Sequence, residues 1–170
     1  MTGLAAAALD WTRDRLSSGS AAFLAALPLK VEEEGRLYVH ADASAPAAWH
    51  YVEEADEALA SMNATKAWAT FCGHVHVPRL FGITAAAKVT AFRPLAGVPV
   101  PLMRARQWLA VLGAVGQPRD GDPRACYGML DTVRGELTWV RVAYDAAAAA
   151  EKIRAAGLPE ALALRLLRGR

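Results

Sequence analysis

The sequence predicts a mixed α/β domain, of α+β or α/β class. Three observations carry that reading. Ala/Leu-rich stretches with large apolar residues at helical intervals occupy both ends. Apolar/polar alternation fills the middle, and turn formers cluster between the alternating runs. The 170 residues fit one domain, 1–170, with room for a sizeable core.

Residues 3–27 carry Leu4, Trp11, Leu16, Phe23, Leu24 and Leu27. They predict one or two helices, broken near Ser17-Ser18-Gly19-Ser20 and ended by Pro28. Residues 29–40 alternate on either side of Glu34-Gly35, the pattern of a hairpin. The acidic run Glu32–Glu34 then belongs to a solvated strand and turn rather than to a metal site. Residues 46–62 place Trp49, Val52, Leu59 and Met62 at roughly helical spacing with acids outward. The short apolar run Ala67–Cys72 reads as a buried strand. Lys88–Arg93, Val100–Arg104 and Gln107–Leu112 read as strands from alternation and from their Val and aromatic content. Gln117–Arg124 is dense in turn formers. Beyond it Ala125–Leu130 and Leu137–Tyr144 pair across Arg134-Gly135 as a second hairpin. Asp145 fits the N-cap of a helix over 146–156, with Gly157 at C′. Pro159 fits the first turn of a last helix, whose Arg165, Arg168 and Arg170 face its negative end.

Composition excludes several classes. The apolar fraction is 54%, but 38 residues are alanine, which adds little core volume. Arg outnumbers Lys 15 to 4, yet a net charge of +2 spread along the chain makes no phosphate-tracking face, so no nucleic-acid partner is indicated. No run of 18 apolar residues occurs, and the first ten residues lack a basic region and include Asp10, so neither a membrane span nor a signal peptide is expected. Cys72 and Cys126 lie far apart without a CxxC, which fits two structural thiols in a reducing, cytoplasmic compartment.

Chemistry concentrates on histidine. His74 and His76 form Gly-His-x-His-x-Pro directly after the buried strand predicted at 67–72. In extended backbone residues i and i+2 face the same side, so both imidazoles can face one point. Gly73 permits close backbone approach there, and Pro78 stiffens the exit. His40 closes another predicted strand, and neighbouring strand ends would bring three imidazoles together. His50 reads as a surface residue on a polar helix face. A bare HxH is a weak signal, since histidines satisfied in a core or on a surface are commoner. Arg119, Asp120 and Asp122 offer phosphate or metal-loop contacts, or else a turn with an internal Asp–Arg pair.

The neighbourhood sharpens this. Phe71-Cys72-Gly73-His74-Val75-His76-Val77-Pro78 resembles the GHTHxP motif of calcineurin-like metallophosphoesterases. Tyr38-Val39-His40 with Ala41-Asp42-Ala43-Ser44 resembles that family's VHG(S)P segment. Leu112-Gly113-Ala114-Val115-Gly116-Gln117-Pro118-Arg119 is similar to its NPGSVGQPR stretch. Order and spacing match the bacterial phosphodiesterase branch, from about Trp11 to the C-terminus. The resemblance implies an αββα sandwich and two divalent ions among Mn, Fe, Zn, Ni and Mg. In the complete form these activate hydroxide for in-line attack on a small phosphoester. It implies His40 and His74 as ligands of one metal and His76 as ligand of the other. Gly73, Arg119 and Asp120 would lie around them.

The departures are as informative. The family's Asp-x-His, Gly-Asp and Asn-His-Asp/Glu ligand motifs have no match: the one Asn is Asn63, and Gly121-Asp122 belongs to the turn-rich loop. Val75 replaces Thr and Ala114 replaces Ser, which affects supporting hydrogen bonds rather than ligation. The chain is therefore expected to be a partial sandwich without the N-terminal strands, and no catalytic residue can be assigned. Three explanations compete: a late start, a natural remnant that binds without catalysis, and completion by a separate chain. An exposed sheet edge would invite homodimerisation or strand pairing.

Overall fold

The computed structural model describes residues 3–84 and 86–170. Helices α1 (Gly3–Arg13) and α2 (Ser18–Ala26) are separated where the serines stand, because the Ser17 hydroxyl accepts from the Ser20 backbone N–H at 3.1 Å and starts a new helix. Strands β1 (Lys30–Glu33) and β2 (Arg36–Val39) form the expected antiparallel hairpin. Its turn puts Glu34 and Gly35 at φ 48° and 72°, the left-handed pair that a two-residue hairpin loop needs.

The helix expected over 46–62 is α3 and spans Ala55–Asn63 only. The Glu57 carboxylate accepts from the Glu54 backbone N–H at 2.9 Å and from the Glu53 N–H at 2.7 Å, which fixes the start beyond Trp49. Residues 48–53 are consequently loop, and Trp49 and His50 lie on no helix. Strand β3 (Ala69–Cys72) is fully buried. Strand β4 (Arg79–Ile83) was not anticipated; Leu80, Phe81 and Gly82 are buried in succession, so alternation is absent. Next come β5 (Val89–Phe92), β6 (Val100–Pro101) and β7 (Gln107–Val111). The strand expected over Val100–Arg104 stops at Pro101, which has no N–H for a ladder. Strands β8 (Ala125–Asp131) and β9 (Glu136–Val142) make the second hairpin. Asp145 caps α4 (Ala146–Ala155), and Gly157 takes φ 70° beyond its end. Helix α5 (Glu160–Arg168) packs on α4; Pro159 is its N-cap residue rather than part of its first turn.

The six-stranded sheet runs β1-β2-β3-β7-β4-β5, and the three-stranded sheet runs β6-β9-β8. Alternation sorts the large sheet's side chains onto two faces. Leu109 and Val111 meet Val52, Ala58 and Met62 on the α3 side. Ala69, Phe71 and Trp108 meet Cys126, Leu137 and Trp139 of the small sheet on the other. The result is the mixed α/β class expected. The central strands β2, β3 and β7 are mutually parallel neighbours, so their C-terminal ends leave the sheet at one edge. That edge is where parallel sheets place ligands. Among the described residues no helix is long and apolar enough to cross a membrane. Cys72 and Cys126 are buried free thiols.

Candidate functional site

Each of the three parallel strands delivers one segment to this edge. His40 follows β2, Gly73–His76 follow β3, and the loop carrying Gln117 and Arg119 follows β7. Backbone bonds lace the segments together: the Gly73 N–H donates to the His40 carbonyl at 2.9 Å, and the Arg119 N–H donates to the His76 carbonyl at 3.1 Å. A Cβ at Gly73 would meet only the His40 carbonyl oxygen, at 3.8 Å, so the close approach expected of this glycine is not sterically demanded.

The two histidines of the HxH do not share a face through extended backbone. His74 and His76 adopt φ 62° and 65°, the left-handed region. A bulky residue there costs on the order of 1–3 kcal/mol, and such strain gathers at functional sites. At His74 the Val75 N–H donates to the Gly73 carbonyl at 2.7 Å, which closes a three-residue turn around the histidine, while Val75 itself is 5% exposed and belongs to the α3-side core.

The structure brings His40 and His74 together: His40 Nε2 lies 3.0 Å from His74 Nδ1. His76 is held separately, its Nδ1 donating to the Gln117 carbonyl at 2.7 Å, which leaves Nε2 with its lone pair free. Burial is the main cause lowering the pKa of all three below the ordinary histidine value. For His74 the neighbouring His40, His76 and Arg119 charges add to this, while a backbone hydrogen bond to Trp49 opposes it. For His76 the Gln117 bond opposes burial, with Arg119 and His40 lowering further. The arrangement thus favours neutral imidazoles, the form that binds a metal.

The remaining residues of the β7 loop divide. Arg119 is exposed, bonds the Gln117 side chain at 3.2 Å, and lies close enough to lower both His74 and His76. Asp120 turns away to pair with Arg141, whose side chain is 7% exposed and also donates to the Arg124 carbonyl at 3.0 Å. Asp122 pairs with Arg124, which holds its carboxyl down at about 2. Asp42, 4% exposed, is committed to its own turn, accepting from the Ser44 N–H at 3.0 Å with His50 Nδ1 at 3.4 Å.

Two site residues escape the sequence reading, Trp49 and Tyr51. The Trp49 ring lies 4.3 Å from the His40 ring, and the Tyr51 ring stacks on His74 at 4.4 Å and 18°. The signal was Trp49-His50-Tyr51, three residues beyond Pro46, where an assumed helix turned Trp49 into a buried-face residue.

The donors fit one divalent ion in part. Nitrogens bound to one ion at about 2.0–2.1 Å lie roughly 3 Å apart, the separation His40 and His74 already have. The Gln117 carbonyl behind His76 is the kind of outer partner that fixes a ligating tautomer. Among the described residues no group of three or more His, Cys, Asp or Glu converges on one point. A second ion is therefore not matched by the donors described.

Similarity to known proteins follows the same outline. The chain is 32% identical over 171 residues to an uncharacterized protein of Methanocaldococcus jannaschii, MJ0912, across 97% of this chain and 66% of that one. A metallophosphoesterase from Sphaerobacter thermophilus superposes with a TM-score of 0.86 and 33% identity, covering 94% of this chain and 65% of the other. The hypothetical protein PH1004 from Pyrococcus horikoshii shares the fold at a TM-score of 0.74 and 16% identity, over 100% of this chain and 62% of its own. No family model matches. The chain spans slightly less than two thirds of each relative.

Proposed function

We propose, from membership of the calcineurin-like metallophosphoesterase superfamily that the Sphaerobacter fold supports, that the chain is the histidine-bearing part of a metal-dependent phosphoesterase centre acting on a small phosphoester. The observation that carries the proposal is the His40 Nε2–His74 Nδ1 approach of 3.0 Å at the common end of three parallel strands. His40 and His74 would hold one divalent ion, with His76 held beside them by the Gln117 carbonyl. Bound ions supply Lewis acidity that activates water and offsets charge growing on the phosphoryl oxygens. The chain's own residues do the rest. Gln117 holds the His76 tautomer, and burial keeps the three rings unprotonated near neutral pH. Arg119, exposed beside two of them, contacts a phosphate oxygen.

A second reading is supported by the donor count. With Asp42 and Asp120 committed elsewhere, no described carboxylate joins the histidines. On that reading the chain is a binding module with a partial metal site.

A chimera decides between them. The matched two thirds of the Sphaerobacter metallophosphoesterase is replaced by this chain, and manganese-supplemented hydrolysis of a chromogenic phosphodiester is measured beside the Sphaerobacter protein itself. The proposal expects turnover in the chimera that falls by about 100-fold or more with His74→Ala, the scale of losing a metal ligand's support. A folded chimera that is inactive, or indifferent to His74→Ala, supports the binding module.

A further inference from the structure

We propose that Trp49 forms an aromatic shelf selecting phosphoesters whose leaving group is a planar aromatic ring. The inference rests on the phosphoesterase reading above and names the substrate class for that site.

Trp49 takes φ 57°, a conformation that a bulky side chain adopts only when its surroundings impose it. The strained loop does not bury the ring, which is 49% exposed although tryptophan is ordinarily well covered. One end of the indole is fixed against the histidines, 4.3 Å from the His40 ring and 5.5 Å edge-on to His74. Tyr51, 47% exposed, stacks on the His74 ring at 4.4 Å and braces it.

The indole also borders a groove of about 710 Å³ that begins at His40 and Gly73. Its walls include Tyr38, Phe71, Leu112 and Pro46, and their one fixed charge is Lys30, which pairs with Val39 beside His40. A phosphoester with its phosphate at the imidazoles can place an uncharged substituent along this groove and over the indole. Apolar lining alone would accept any hydrophobic group, but a half-exposed indole face discriminates. Offset stacking favours planar π-systems beyond the area they bury.

The test compares phenyl phosphate with cyclohexyl phosphate, which match in charge and nearly in size, so burial alone cannot separate them. Dissociation constants are measured by calorimetry with manganese present, for wild type, Trp49→Phe, Trp49→Leu and Trp49→Gly; the glycine relieves the positive φ if leucine perturbs the loop. The shelf predicts phenyl phosphate binding about 3- to 10-fold tighter in wild type and Trp49→Phe, and a preference under 2-fold in the leucine and glycine variants. Equal affinity in wild type, or a preference that survives loss of the ring, overturns the shelf and leaves the phosphoesterase reading standing. Failure of wild type to bind either ester overturns both.

Discussion

His40 Nε2 and His74 Nδ1 lie 3.0 Å apart although 34 residues separate them in the chain. Two imidazole nitrogens facing each other at this distance cannot both present bare lone pairs. They must share a proton, or a metal ion must take the proton's place. On the proposed reading, that competition makes metal binding by the pair depend on pH.

Proton competition therefore sets the pH range of metal binding. For ordinary histidines affinity would fall as pH drops toward 6.5. Here burial lowers all three pKa values, so zinc or manganese affinity should persist below 6.5 before declining. Affinities measured by titration at pH 7.5, 6.5 and 5.5 check this; a decline complete by pH 6.5 would contradict it.

The same shifts affect the metal-free fold. Below pH 6.5 the unfolded chain takes up protons that the folded histidines refuse, so the unfolded state is favoured as pH falls. Above 6.5 both states are neutral and the contribution vanishes. Urea midpoints should drop between pH 7 and 5.5, and a His40→Gln/His76→Gln variant should lose part of that slope.

Arg141 and Asp120 form the buried ion pair under the site loop, at 7% and 16% side-chain exposure. Arg141→Met leaves Asp120 with an uncompensated charge, and Asp120 Oδ1 already has no hydrogen-bond partner. The expected loss is about 3–5 kcal/mol of unfolding free energy by denaturant titration. A loss below about 1 kcal/mol would show that the pair is well solvated.

Gly82 and Trp108 face each other across β4 and β7, and a Cβ at residue 82 would sit 2.7 Å from the indole. Gly82→Ala should cost about 1–3 kcal/mol by overpacking, with the tryptophan emission shifted. Cys72, whose thiol burial pushes up to about 12, should stay inert to thiol reagents at pH 8 until the protein is unfolded.

Much of this was legible in the sequence because local chemistry agreed with the fold. Glu34-Gly35 encodes a hairpin turn, Asp145 and Gly157 bracket a helix, and β3 is a short apolar run ending at the histidine motif. The misses have a common cause, competition between a local pattern and a tertiary constraint. The apolar spacing over 46–62 suggested a helix, but the Glu54–Glu57 capping box starts it at Ala55, which frees Trp49 and Tyr51 for the site. His74-Val75-His76 suggested extended backbone, but both histidines take positive φ, with the Val75 N–H turned back to the Gly73 carbonyl and the His76 carbonyl tied to the Arg119 N–H. The β7 loop suggested an internal Asp–Arg pair; Asp122–Arg124 is one, while Asp120 reaches Arg141 on β9, a partner no local pattern reveals.

The most direct test of the central claim, that His40 and His74 hold an ion jointly, is zinc titration calorimetry on the metal-free chain at pH 7.5. The 170-residue protein is compared with His40→Ala and His74→Ala, each first shown to be folded by circular dichroism. The account predicts one weakly held ion in the unsubstituted chain and its loss in both variants, because neither histidine retains the ion alone. Two tightly held ions in the unsubstituted chain, or unchanged binding in either variant, would contradict it.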